Sequence, residues 1–236
     1  MGFAEGTLPP YLGPHALPPA FSNVMLKAMS ETIFDSRHQQ LFVRQRKEWT
    51  EILIDWETRN QYSVMTAEKA EIATVVEKSG GFGDFLARSF LRSHRPFEIG
   101  VFEPNGGLLF KLVRSFFFFF SNLEIRDNSG RVLGRVQRRF GLLYRKYDLY
   151  DDAGSLFARI KGPIWRIWTF PVTDTRGLGE ANIAKRWGGG LREIFTDADA
   201  FLIDYMGGHW SENERRVIFS AAISIDFDFF EDNQRN

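Results

Sequence analysis

Two groups of basic residues in this 236-residue chain sit beside aromatic rings. Arg135, Arg138, Arg139, Arg145 and Lys146 gather around QRRFGLLYRK, and Lys185, Arg186 and Arg192 flank Trp187 in KRWGGGLR. Cations next to aromatics suit an anionic lipid headgroup and the interfacial zone of a bilayer. They also suit nucleic acid, or the solvated ends of strands. Lys+Arg and Asp+Glu are both 30, giving a formal net charge of zero. With no bulk positive field, a nucleic-acid partner is disfavoured. Between the basic groups and the N-terminal half lies an unbroken run, Phe116, Phe117, Phe118, Phe119 and Phe120. Bulky apolar side chains of this kind enter a membrane or a partner, or form a buried strand whose faces alternate.

Enzyme chemistry finds little to build on. His15, His38, His94 and His209 have no metal-ligand spacing, and Gly188–Gly190 is followed by no Lys-Ser/Thr of a phosphate loop. No ordered Ser-His-Asp set or nucleophile elbow is present. Cysteine is absent, which excludes disulfides, thiolate metal sites, cysteine nucleophiles and S-palmitoylation. The expectation is a non-enzymatic protein without a catalytic residue.

The elements that must carry these residues read as mainly β. Residues 1–35 hold Pro9, Pro10, Pro14, Pro18 and Pro19, which favours an extended, poorly ordered tail. From Leu41 onward, runs such as LFVRQRK, EILIDWE, QYSVM and EIATVVE cluster β-branched and aromatic residues between polar breaks. FGDFLARSFLRS (82–93) has apolar spacing nearer 3 to 4 and reads as a short helix. Acidic-x-x-Gly then recurs at Glu103–Gly106, Asp127–Gly130, Asp151–Gly154 and Asp174–Gly177, with glycines 24, 24 and 23 residues apart. An acid at the first position accepts turn amides and glycine supplies a positive φ at the fourth, so each copy predicts a type I turn with a bulge between antiparallel strands. Glu57–Asn60 and Glu77–Gly80 are weaker copies. Six hairpins make roughly twelve strands; a two-sheet sandwich with similar turns is the other arrangement.

The C-terminal segment changes character. Ser211 with Glu214 three residues on is a capping box, and the VIFSAAISI that follows is apolar on every face of a helix. Asp226 and Asp228 interrupt the run, which disfavours a membrane span and places the helix, about 212–231, inside the protein. A barrel of eleven or twelve strands has room for such a helix. The expected architecture is a closed antiparallel barrel over 36–232 threaded by its own last helix, with Ser220, Ala221, Ala222 and Ser224 allowing close approach to the wall, and a short tail at 233–236.

KRWGGGLREIFTDADAF followed by the helix ending SIDFDFFED resembles the phospholipid scramblase family of the tubby-like superfamily. LFVRQRKEWTEI, WETRNQYSVM, HRPFEIGVFEPNG, DNSGRVLGRVQRRF and ARIKGPIWR resemble successive family blocks in the same order, so the resemblance covers roughly 36–232. It implies a twelve-stranded barrel around a C-terminal helix and calcium-dependent, energy-independent movement of phospholipids between leaflets. It further implies a cytoplasmic, peripherally membrane-associated protein whose partners are the phospholipid surface and its anionic lipids. The family's cysteine-rich cluster is replaced here by Phe116–Phe120. Its proposed Ca2+ loop maps onto DADAFLIDYMGG, where Asp197, Asp199 and Asp204 are the carboxylates. Phe201, Leu202 and Gly208 stand where an EF-type loop needs an oxygen ligand, glycine and a bidentate acid, so calcium binding there is expected to be weak. The resulting expectation is a scramblase-like protein in which Arg138, Arg139, Lys185, Arg186 and Trp187 engage headgroups and the phenylalanine run inserts shallowly. The other readings are a cytosolic scaffold for a protein partner and, third, a nucleic-acid binder.

Overall fold

The computed structural model describes residues 33–46, 58–78, 96–166, 168–185 and 200–229. Twelve antiparallel strands close into a barrel: β1 (Gln40–Gln45), β2 (Thr58–Met65), β3 (Glu71–Lys78), β4 (Phe97–Phe102), β5 (Leu108–Arg114), β6 (Asn122–Arg126), β7 (Val132–Arg139), β8 (Tyr144–Tyr150), β9 (Leu156–Pro163), β10 (Thr169–Asp174), β11 (Glu180–Ala184) and β12 (Ala200–Asp204). Each pairs with its sequence neighbour, and β1 pairs with β12. A two-sheet sandwich is thereby excluded. EILIDWE and FGDFLARSFLRS lie outside the described residues.

The four acidic-x-x-Gly copies are the hairpin turns. Gly106, Gly130, Gly154 and Gly177 all have positive φ, between 75° and 88°. In each, the glycine N–H donates to the acid's carbonyl, and the acid's N–H bridges to the residue beyond the bulge, as from Glu103 to Gly107 O at 2.8 Å. Three of the four acids also accept local amides: Asp127 from Ser129 and Arg131, Asp151 from Ser155, Asp174 from Arg176. The two weaker copies do not mark turns among the described residues. Asn60 is inside β2 and Glu77 inside β3. The β2–β3 turn is instead Thr66–Lys69, with the same bonding and Lys69 at φ 67°, a position a non-glycine side chain occupies here.

Helix α1 (Glu212–Phe229) runs through the barrel. Its start is the capping box: Ser211 N–H donates to Glu214 Oε2 at 2.7 Å and Glu214 N–H to Ser211 Oγ at 3.3 Å. From Glu214 to Phe227 every residue but Arg216 is buried. The inward faces of the strands supply the other half of the core, for example Ile99, Val101, Leu112, Leu123, Ile125, Val136, Leu149 and Val172. Close approach to the wall depends on a glycine in the wall as well as on small helix residues. A Cβ on Gly134 of β7 would overlap Val217 of α1 and lie 2.7 Å from the Tyr150 carbonyl oxygen.

Ile33 and Phe34, at the end of the proline-rich stretch, also belong to the packed body. Phe34 is wholly buried, edge-on to Phe110 and Phe219, and stops the barrel at the end where α1 begins.

Candidate functional site

Antiparallel connection sorts the loops between two ends. Strands β4, β6, β8 and β10 finish at the acidic turns, and β12 finishes there before α1 starts. Strands β5, β7 and β9 finish at the opposite end, where the connecting segments 115–121, 140–143 and 164–168 lie.

The phenylalanine run is in the first of these segments. It is a loop between β5 and β6, so the alternating buried strand does not form. Phe118 and Phe119 are 76% and 84% exposed, Phe116 and Phe120 are less so, and Phe117 turns back to place its ring 5.3 Å from the Arg114 guanidinium. Phe116 and Phe118 pack edge to face at 4.8 Å. The second and third segments add Phe140, Leu142, Leu143, Ile164 and Trp165, all exposed. In the sequence QRRFGLLYRK draws attention for its cations and ARIKGPIWR for its family resemblance, not for these two or three apolar residues each; only closing the barrel brings them beside the phenylalanines. Exposed apolar residues concentrated on one end of a molecule mark an interaction surface.

Cations surround this end. Arg138 and Arg145 both approach the ring of Phe229, the last described residue of α1, at 4.7 and 4.6 Å. Burial pulls the Arg145 guanidinium below its ordinary value, and the like charge of Arg138 adds to this. Lys161 Nζ lies 4.4 Å over the ring of Tyr144, which itself packs on Trp165. Arg166 is exposed in the third loop.

The base of this end is fixed by two buried ionic groups on the last turns of α1. Asp228 accepts from Arg114 Nη1 (2.8 Å), Tyr147 Oη (2.9 Å) and Ser121 Oγ (3.3 Å), with Arg138 at 4.0 Å. Both Arg114 and Asp228 side chains are inaccessible. Burial, reinforced by the Asp228 charge, pushes the Tyr147 phenol well above its ordinary range, so it remains a donor. Asp226 takes Lys185 Nζ at 2.8 Å and Tyr62 Oη at 3.0 Å. The two acids that interrupt the apolar run are thus the anchors of the helix's final turns.

The sequence-predicted site residues therefore separate. Phe116, Phe118, Phe119, Phe120 and Arg138 share the apolar end with Phe117 behind them. Arg139 points along the outer wall and is held by Asp148 at 2.7 Å and Tyr150 at 2.7 Å. Lys185, expected at the surface with the headgroup ligands, is buried and directed inward by Asp226. Arg186, Trp187, Asp197 and Asp199 lie outside the described residues. Asp204 closes β12, accepting from Gln40 at 2.8 Å and from the Met206 N–H at 2.9 Å. In the described part of the expected calcium loop, Ala200–Asp204 is a barrel strand with Phe201 buried. Among the described residues no group of three or more His, Asp or Glu side chains is placed to hold a metal.

The sequence model of the scramblase family matches residues 19–232. The chain belongs to the scramblase family. Among curated relatives it is similar to altered inheritance rate of mitochondria protein 25 of Saccharomyces cerevisiae, 25% identical over 83% of this chain and 71% of that protein. It is also similar to a phospholipid scramblase family protein of Schizosaccharomyces pombe, 24% identical over 80% of this chain and 59% of that one. Human phospholipid scramblase 1 is 25% identical over 83% of this chain and 64% of its own length. The chain thus spans about three fifths to seven tenths of these relatives. No solved structure matches it significantly. Among the described residues no helix of this scramblase family member is long and apolar enough to cross a membrane.

Proposed function

We propose that this scramblase family member docks on phospholipid membranes through the end of the barrel that carries segments 115–121, 140–143 and 164–168, and there binds anionic headgroups without bond-making chemistry. The observation that carries this reading is the joint exposure of Phe118, Phe119, Phe140, Leu142 and Trp165 on one end, among Arg138, Arg145, Lys161 and Arg166. The apolar tips enter the boundary between headgroups and acyl chains, and the cations meet lipid phosphate. Charge polarity of the body favours this orientation. The opposite end carries the turn acids Glu103, Asp127, Asp151 and Asp174 together with Glu212 and Glu214 of α1, offset in part by Arg131, Arg176 and Arg216 that pair with them, and its acids oppose approach to an anionic surface.

The same geometry argues for action at the surface. The helix is enclosed by the wall, so the described barrel gives a headgroup no polar route through about 30 Å of hydrocarbon. Lipid redistribution by this chain would follow from local disturbance of one leaflet by the inserted aromatic tips.

Vesicle co-sedimentation tests the reading. The protein should pellet with vesicles containing phosphatidylserine more than with phosphatidylcholine alone, and Phe118→Ser/Phe119→Ser should weaken pelleting by one to two orders of magnitude with an unchanged Tm. Full burial of each phenylalanine contributes roughly 1.5–3 kcal/mol, and shallow insertion delivers part of that. Equal recovery with both vesicles and no loss in the double variant would reject docking and leave a protein partner as the occupant of this end. Dye-labelled reconstituted vesicles then report whether transbilayer movement accompanies binding.

A further inference from the structure

The four acidic turns look alike in sequence, yet one of their carboxylates is not used by its turn. In the β4–β5 turn the amide of Gly107 is taken by Asn105 Oδ1 at 2.9 Å. The longer side chain of Glu103 is thereby released from the role its three aspartate counterparts perform. It is 4% exposed, and neither carboxylate oxygen has a hydrogen-bond partner among the described residues. It lines a cleft of about 330 Å³ at the end of the barrel away from the aromatic loops, beside the Ile33–Phe34 stopper. That volume is far above the ~10–15 Å³ that holds one water. Buried carboxylates are ordinarily paired or hydrogen-bonded, because an isolated one is strongly disfavoured.

We propose that this cleft binds the ammonium group of a free primary alkylamine. Glu103 supplies the counter-charge and two acceptors, and Asn105 lines the same space. Ile33, Ile72 and Pro104 form walls for an alkyl stem. The other charged groups facing the cleft are already committed or peripheral. Glu71 accepts from Thr74 and pairs with Arg46 at 3.4 Å, and His38 offers a ring while its backbone carbonyl takes Arg215. A quaternary ammonium is disfavoured because no Phe, Tyr or Trp ring is among the described lining residues. A metal ion is disfavoured because no group of three ligating side chains is assembled among the described residues. Three N–H donors on a compact cation match an acceptor set that an ammonium satisfies and a methylated nitrogen does not.

The test is thermal unfolding of the full chain with n-butylammonium chloride, against tetraethylammonium chloride and sodium chloride at equal ionic strength. The expected result is a saturable rise in Tm with n-butylammonium alone, of about 5–10 °C at one hundred times the dissociation constant. Glu103→Gln should abolish the rise while itself melting no lower than wild type, since it keeps the side chain's shape and takes no hydrogen bond from a described partner. Gly107→Ala, whose new methyl would stand 3.1 Å from Glu103 Oε2, should reduce the affinity at least several-fold by narrowing the cleft. No rise beyond that of sodium chloride, an equal rise in Glu103→Gln, or a ligand-free Glu103→Gln that melts lower than wild type would each overturn the proposal.

Discussion

Asp228 and Arg114 offer the sharpest test of how the aromatic end of the barrel is built. The pair is 2.8 Å apart with both side chains inaccessible, 114 residues distant in sequence, and joins the last turn of α1 to the end of β5. Asp228→Asn keeps an acceptor for Tyr147 and Ser121 but removes the counter-charge from Arg114. Taking one partner from a buried ion pair costs about 3–5 kcal/mol. Because asparagine still accepts hydrogen bonds, the lower figure applies, and in a chain of this size about 3 kcal/mol lowers Tm by roughly 6–12 °C. Arg114→Met should cost a similar amount by stranding the carboxylate. Arg114→Met/Asp228→Asn removes both charges and should recover to within about 1 kcal/mol of wild type, since buried pairs exchanged together are close to neutral. Urea denaturation followed by circular dichroism on the four proteins measures the cycle. Single variants losing less than about 1 kcal/mol, or a double variant whose loss is the sum of the singles, would refute the account of Asp228 as the anchor of this end. Because Arg114 also lies over Phe97 and Phe117, the single variants should speed amide exchange in segment 115–121.

Three further outcomes follow from the geometry. Gly134→Ala should destabilise by about 1–3 kcal/mol in the same denaturation assay, because the methyl meets Val217 and the Tyr150 carbonyl. Asp174 is held below its ordinary value of 3.8, chiefly by the hydrogen bond from Arg176, so its contribution is complete above that pH and lost as pH falls through the lower folded value. Asp174→Asn should therefore melt a few degrees below wild type at neutral pH, about 1 kcal/mol once the exposure of Arg176 is discounted, and the gap should shrink below pH 3.8. Docking on anionic vesicles should persist in a calcium chelator, since the aromatic tips and arginines proposed to carry it need no ion; loss of pelleting on chelation would show that they do not suffice.

The parts legible in the sequence were those governed by local chemistry. An acid that accepts turn amides and a glycine at positive φ act within four residues, so the turns at 103–106, 127–130, 151–154 and 174–177 could be read directly. The capping box and the all-round apolar helix are equally local. The Thr66–Lys69 turn was not legible, because it makes the same bonds with threonine in the acid's place and lysine in the glycine's. Long-range placement was hidden too. Lys185 looked like a surface cation because its partner Asp226 is 41 residues away. Phe116–Phe120 looked compatible with a strand because composition does not report where β5 ends. Phe140, Leu142 and Trp165 gained meaning only from the barrel's closure, which gathers loops from different hairpins onto one end.

That closure has a consequence for biosynthesis. Gln40 donates to Asp204 across the final seam, a separation of 164 residues. Until β12 has left the ribosome the nascent sheet carries a bare margin at β1, and until α1 follows it has nothing to wrap. The wall cannot shut during most of translation, and joining such distant segments is intrinsically slow. A transcript truncated before β12 would yield an open, sticky ribbon rather than a smaller version of the protein, a substrate for chaperones and proteases.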